Sequence, residues 1–178
     1  MNLPNFLSFS RIFLIIPIIL FFELEYYFFS FIFFVIASLT DYFDGYFARK
    51  NNQTSESGAL LDLLADKLFV SIILLWMTYS FNHVLILISS MMIISREIII
   101  SYVRLFLVSK KKELKDFKSD LLGKIKTTLQ MISLGIILIS PVITNLFFRI
   151  SVILLILTAA LSWFSLIRYL NKWIIKKD

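Results

Sequence analysis

The 178-residue sequence predicts an all-α, polytopic membrane protein with six transmembrane helices and a short interfacial helix ahead of the first. Three observations predict it. Hydrophobic residues make up 59% of the chain and charged residues 17%, with 19 Phe, which is more apolar surface than a soluble domain of this size can hide. Long apolar runs alternate with short polar breaks. The basic residues gather at every second break. The absence of Cys excludes disulfides and thiolate metal sites, and the single His, His83, excludes His clusters and the usual Ser/His arrangements. The formal charge of +6 is unevenly spread and reads as membrane topology, not as nucleic-acid binding. The length fits a single domain, residues 1–178.

Residues 1–11 are mildly amphipathic, with Leu3, Phe6, Leu7 and Phe9 among Asn5, Ser8, Ser10 and Arg11. The first Ala is Ala37, so no small-residue cleavage site follows, and the segment reads as an interfacial lead-in. The first span covers about 11–24 and contains Pro17, with Glu23 and Glu25 on its far side. The second covers 26–49. The polar loop 50–57 follows, and Thr54, Ser55 or Ser57 is placed to cap the next helix. The third span is 58–80, and Phe81-Asn82-His83 is a tight outer turn, with His83 an idle surface residue. The fourth runs 84–108 and the fifth from about Gly123 to Ser140-Pro141. The sixth runs 145–169, with Trp163 and Trp173 as interfacial aromatics. The start, the Arg49 loop, segment 109–126 and the tail carry the basic residues; the other side has Glu23, Glu25, His83 and Arg149. Positive-inside places both termini at the cytoplasm.

Four aspartates among the twelve acidic residues, Asp41, Asp44, Asp62 and Asp66, fall in one stretch. Asp41 and Asp44 are spaced i, i+3 and Asp62 and Asp66 i, i+4, so each pair shares one helix face. At about 1.5 Å per residue, Asp41 lies roughly 22 Å from Tyr26 and Asp66 roughly 21 Å from Ser80. Asp44 and Asp62 each come out at about 27 Å. On antiparallel helices the four carboxylates therefore meet at one level, near the edge of a hydrocarbon core about 30 Å thick. Carboxylates so crowded need a cation, and oxygen ligands suit a hard divalent ion, Mg²⁺ or Mn²⁺. The alternative is that they cap helices or sit solvated. Four matched acids at membrane depth favour function.

The pattern Asp41-x2-Asp44-Gly45-x2-Ala48-Arg49-x8-Gly58-x3-Asp62-x3-Asp66 resembles the complete signature of the CDP-alcohol phosphatidyltransferases. The resemblance implies two divalent ions held by Asp41, Asp44, Asp62 and Asp66, and Asp66 as general base. It implies that Gly45, Ala48, Arg49 and Gly58 surround the cytidine nucleotide, and that the chain forms a homodimer.

Two further stretches extend the likeness. Ser95-Arg96-Glu97-Ile98-Ile99-Ile100-Ser101-x2-Arg104 and Gly123-Lys124-x-Lys126-Thr127-x2-Gln130 look like the phosphatidylglycerophosphate-forming branch. Ser8 and Arg11 echo its Asn-x-x-Thr-x-x-Arg start, with Ser in place of Thr and Pro17 one residue later than usual. This implies CDP-diacylglycerol as donor, sn-glycerol 3-phosphate as acceptor, and membrane lipids as surroundings. An acceptor that is itself a phosphate needs fixed cations, and Arg96, Arg104 and Lys124 can supply them. Arg96 has two readings, a substrate contact or a structural pair with Glu97. Lys124 shares its face with Thr127 and Thr128, whereas Lys126 is expected to snorkel to the interface. Two rivals stay open: the same chemistry on serine, inositol phosphate or phosphatidylglycerol, and a cation channel or transporter built on the Asp cluster.

Overall fold

A computed structural model describes the backbone of residues 3–50, 56–109 and 121–175, and side chains over 10–40, 64–103 and 125–171. Six helices form: α1 (Leu3–Glu23), α2 (Tyr27–Lys50), α3 (Glu56–Phe81), α4 (Val84–Ser109), α5 (Leu121–Ile139) and α6 (Asn145–Ile175). They match the six expected runs, and no strand occurs among the described residues. The lead-in and first span are one continuous helix, with Pro17 inside it. Among the described residues, three stretches are long and apolar enough to cross a membrane: Leu64–Phe81, Val84–Val103 and Asn145–Asn171. Tyr27–Thr40 and Ile125–Ile139 are apolar but shorter. This is a membrane protein.

The outer turns explain why the helices stop. After α1, the Tyr26 amide donates to the Phe21 carbonyl at 2.8 Å and the Glu25 amide to Phe22 at 2.9 Å. Glu25 adopts φ 65° between them. This is a Schellman cap with Glu where glycine is usual. Asn82 turns the chain between α3 and α4 at φ 43°, a conformation its short polar side chain tolerates. After α5, residues 140–144 close through Ser140, whose hydroxyl and amide both donate to the Ile137 carbonyl, at 2.7 and 3.3 Å.

The helices pack as a closed ring in the order α1, α2, α5, α6, α4, α3, with α3 returning to α1. Inside lie Ile15, Ile18, Phe34, Phe69, Ile73, Met77, Ile93, Leu134, Leu138 and Leu155. Outside, α1 shows the stripe Phe13, Ile16 and Leu20, spaced i, i+3, i+7. Lipid tails are as apolar as the core, so packing density and polar pairs hold such helices together. Among the direct polar pairs, Ser30 donates from α2 to the Ile18 carbonyl at 2.7 Å, and Trp163 donates from α6 to the Met92 carbonyl at 2.9 Å. Trp163 thus faces a neighbouring helix and not only the membrane interface.

The two ends of the ring differ. At the end holding the outer turns, Phe22 meets Tyr27, Trp76 and Phe81, and Phe81 stacks on Phe148. Trp76 donates to Glu23 at 2.9 Å. His83 is anchored there, its ring against Phe148 at 5.6 Å and its Nδ1 accepting the Leu85 amide at 3.3 Å. The opposite end is charged.

Candidate active site

Among the described residues, the charged end draws on five of the six helices. Asp66 lies on α3, at the end of the acidic motif. Its Oδ1 forms an ion pair with the Arg11 guanidinium of α1. The neighbouring Lys67 reaches across to α4, donating to the Ser101 hydroxyl and to the Glu97 carbonyl, the latter at 3.3 Å. Ser101 itself donates back to that carbonyl at 2.5 Å. Asp66 and the Arg96–Glu97 pair are therefore at one level on facing helices.

On α4, Arg96 donates from its Nη1 to Glu97 Oε1 at 2.7 Å. Its Nε donates to the Ser162 carbonyl of α6 at 3.2 Å. Lys126 of α5 donates to the same Glu97 Oε1, also at 2.7 Å. Arg96 and Lys126 are buried, at 6% and 4% exposure. In the ring, α4 and α5 are separated by α6, so the Glu97–Lys126 bond crosses the interior. Two cations share one carboxylate oxygen in a low-dielectric place, an arrangement more often functional than stabilising.

The expected site residues divide accordingly. Asp66 and Arg96 have described side chains, and both sit at the charged end. Arg96 pairs with Glu97 and is largely enclosed. Asp41, Asp44, Gly45, Ala48 and Arg49 lie on α2, and Gly58 and Asp62 on α3. Arg104 lies on α4 and Lys124 on α5. The side chains of these nine are outside the described residues. Thr54 and Ser55 are also outside them.

Lys126 is a correction. It does not snorkel outward but turns inward to Glu97, while Thr127 and Thr128 are exposed. The signal was present in the sequence. Lys126, Gln130 and Ser133 are spaced i, i+4, i+7, and all three are buried. Sequence reasoning also left Lys67 without a role and did not pair Arg11 with any partner. The oxygen donors of the motif fit a hard divalent cation, and Asp66, with 42% side-chain exposure, is open to one.

The family profile described as CDP-alcohol phosphatidyltransferase matches residues 1–164. The chain belongs to the CDP-alcohol phosphatidyltransferase family. Enzymes of this family generally use a divalent metal. A relative from Wigglesworthia glossinidia brevipalpis is 35% identical over 172 residues, 95% of this chain and 93% of its own length. One from Salmonella choleraesuis (strain SC-B67) is 34% identical over 174 residues, 96% of this chain and 93% of its own. One from Shigella flexneri serotype 5b (strain 8401) is 33% identical with the same coverage. All three are named CDP-diacylglycerol–glycerol-3-phosphate 3-phosphatidyltransferase. For this phosphatidyltransferase, membership replaces the ion-channel alternative with group-transfer chemistry.

Proposed function

We propose that this protein transfers the phosphatidyl group of CDP-diacylglycerol to sn-glycerol 3-phosphate, giving phosphatidylglycerophosphate and CMP. The observation that carries the reading is end-to-end similarity to relatives of that name, over 95% of the chain. The charged end is consistent with it, because a phosphate-bearing acceptor needs cations held inside the bundle. Arg96, Arg104 and Lys124 are assigned to that phosphate. Gly45, Ala48, Arg49 and Gly58 are assigned to the cytidine nucleotide.

Asp41, Asp44, Asp62 and Asp66 would hold two ions, Mg²⁺ or Mn²⁺, which supply charge neutralisation for the pyrophosphate and the leaving group. Asp66 accepts the proton of the attacking glycerol hydroxyl. That oxygen bonds to the β-phosphorus, the bond from this phosphorus to the CMP oxygen breaks, and CMP leaves with the electron pair. The acyl chains remain in lipid while the headgroup reacts. The charged end is assigned to the cytoplasmic face of the inner membrane, a reading supported by the distribution of basic residues. The unit is a single domain, 1–178, acting as a homodimer.

Purified protein in detergent–lipid micelles, supplied with CDP-diacylglycerol and Mg²⁺, tests the proposal. Glycerol 3-phosphate, serine and inositol phosphate are offered separately. Lipid product with glycerol 3-phosphate alone, abolished by EDTA, is expected. Product with another alcohol overturns the acceptor assignment, and no CMP release from folded protein overturns the enzyme reading.

A further inference from the structure

Arg11 is the most deeply enclosed charged side chain among the described residues, with no exposed surface. It lies on α1, a helix that carries none of the residues assigned above to the reaction. A guanidinium is costly to bury without a partner. Arg11 meets Oδ1 of Asp66, and Asp66 itself is 42% exposed on its side chain. The pair is thus asymmetric. The cation is fixed within packed helices, while the carboxylate stands partly exposed at the charged end.

A structural ion pair alone would gain nothing from placing one member at the open end of the acidic motif. An arginine in that position does something more specific. It cannot lose its proton, and its planar fork fixes the direction of the carboxylate it meets. We infer that Arg11 is a positioning residue for Asp66. It holds one carboxylate oxygen so that the other points at the metal and the acceptor hydroxyl. The inference rests on the assignment of Asp66 as metal ligand and base. Partners that orient a metal ligand from behind typically govern metal affinity or activity by about 10–100-fold.

The test compares Arg11→Met, Arg11→Lys and Asp66→Asn with the parent enzyme in the same micelles. Three readouts are needed: steady-state kinetics in both substrates, Mn²⁺ affinity from the electron-paramagnetic signal of free Mn²⁺, and thermal unfolding. Arg11→Met is expected to lower kcat by about 10–100-fold with the KM of each substrate unchanged, and to weaken Mn²⁺ binding in the same range. Arg11→Lys, which keeps the charge but not the fork, is expected to recover part of both. A lower melting temperature with parental kcat and Mn²⁺ affinity would make the pair a clip between α1 and α3 and overturn the inference. Where Arg11→Met does not fold, Arg11→Lys decides, and parental kcat and Mn²⁺ affinity overturn it. Full activity in Asp66→Asn would instead sink the assignment of Asp66, and a parental result in the Arg11 variants beside an inactive Asp66→Asn would sink only the role of Arg11.

Discussion

Replacing Glu97 by Gln removes the carboxylate that Arg96 and Lys126 share. Both cations lie 2.7 Å from Glu97 Oε1, so they can be no farther apart than twice that distance. At about 5 Å and an effective dielectric near 20, two cations no longer bridged by that carboxylate repel by about 3 kcal/mol. Breaking a buried ion pair by deleting one partner generally costs about 3–5 kcal/mol, which agrees. Lys126→Met should be milder, because it leaves a neutral Arg96–Glu97 pair with the Ser162 carbonyl still bound. The double variant Glu97→Gln/Lys126→Met removes the repulsion and should regain part of the loss. Thermal unfolding in detergent, followed by tryptophan fluorescence, gives the order: parent most stable, Glu97→Gln least, the double variant between them. Added salt should not close the gap, since enclosed charges are poorly screened. Glu97→Gln melting with the parent, or the double variant melting below it, would refute the reasoning.

Two further outcomes follow from the geometry. A Cβ on Gly135 of α5 would meet Phe31 at 3.3 Å and Phe34 at 3.5 Å, so Gly135→Leu should wedge α2 from α5 and cost about 1–3 kcal/mol in thermal unfolding. The chain has no Cys, so His83→Cys provides a single label site in the outer turn; a membrane-impermeant maleimide should modify it in intact cells, and labelling only after lysis would reverse the proposed topology.

The helices were legible because lipid makes apolar length a direct signal. Runs read as 84–108 and 145–169 emerged as Val84–Ser109 and Asn145–Ile175. The acidic motif was legible as a family pattern, and the chain belongs to that family, while the side chains of Asp41, Asp44 and Asp62 lie outside the described residues. What misled was the assumption that polar neighbours mark the inward face. At a helix end near the headgroups, polar residues also face water. Thr127 and Thr128 do so, and Lys126, with Gln130 and Ser133 below it, turns in. Arg96 and Glu97 were weighed as a pair, although adjacent helical residues do not face each other. The long Arg96 side chain makes the contact while its Nε is tied to α6. The Arg11–Asp66 pair could not be read at all, because it depends on α3 closing the ring against α1.

That closure explains how a small membrane protein tolerates so much enclosed charge. Between helices in lipid, apolar burial supplies little net drive, so close packing and directed polar contacts must hold the ring. At the outer end these contacts are aromatic edges on Phe22, stacking of Phe81 on Phe148, and the Trp76–Glu23 bond. They link α1, α2, α3 and α6 where no charge has to be used for chemistry. The other end can then keep Arg11, Lys67, Arg96 and Lys126 in fixed positions, on Asp66, Ser101 and Glu97. Cations held this way need no rearrangement when an anionic substrate arrives, which is the condition for electrostatic preorganisation. A looser aromatic end should therefore appear as weaker acceptor binding at the opposite end of the bundle, and not only as a lower melting temperature.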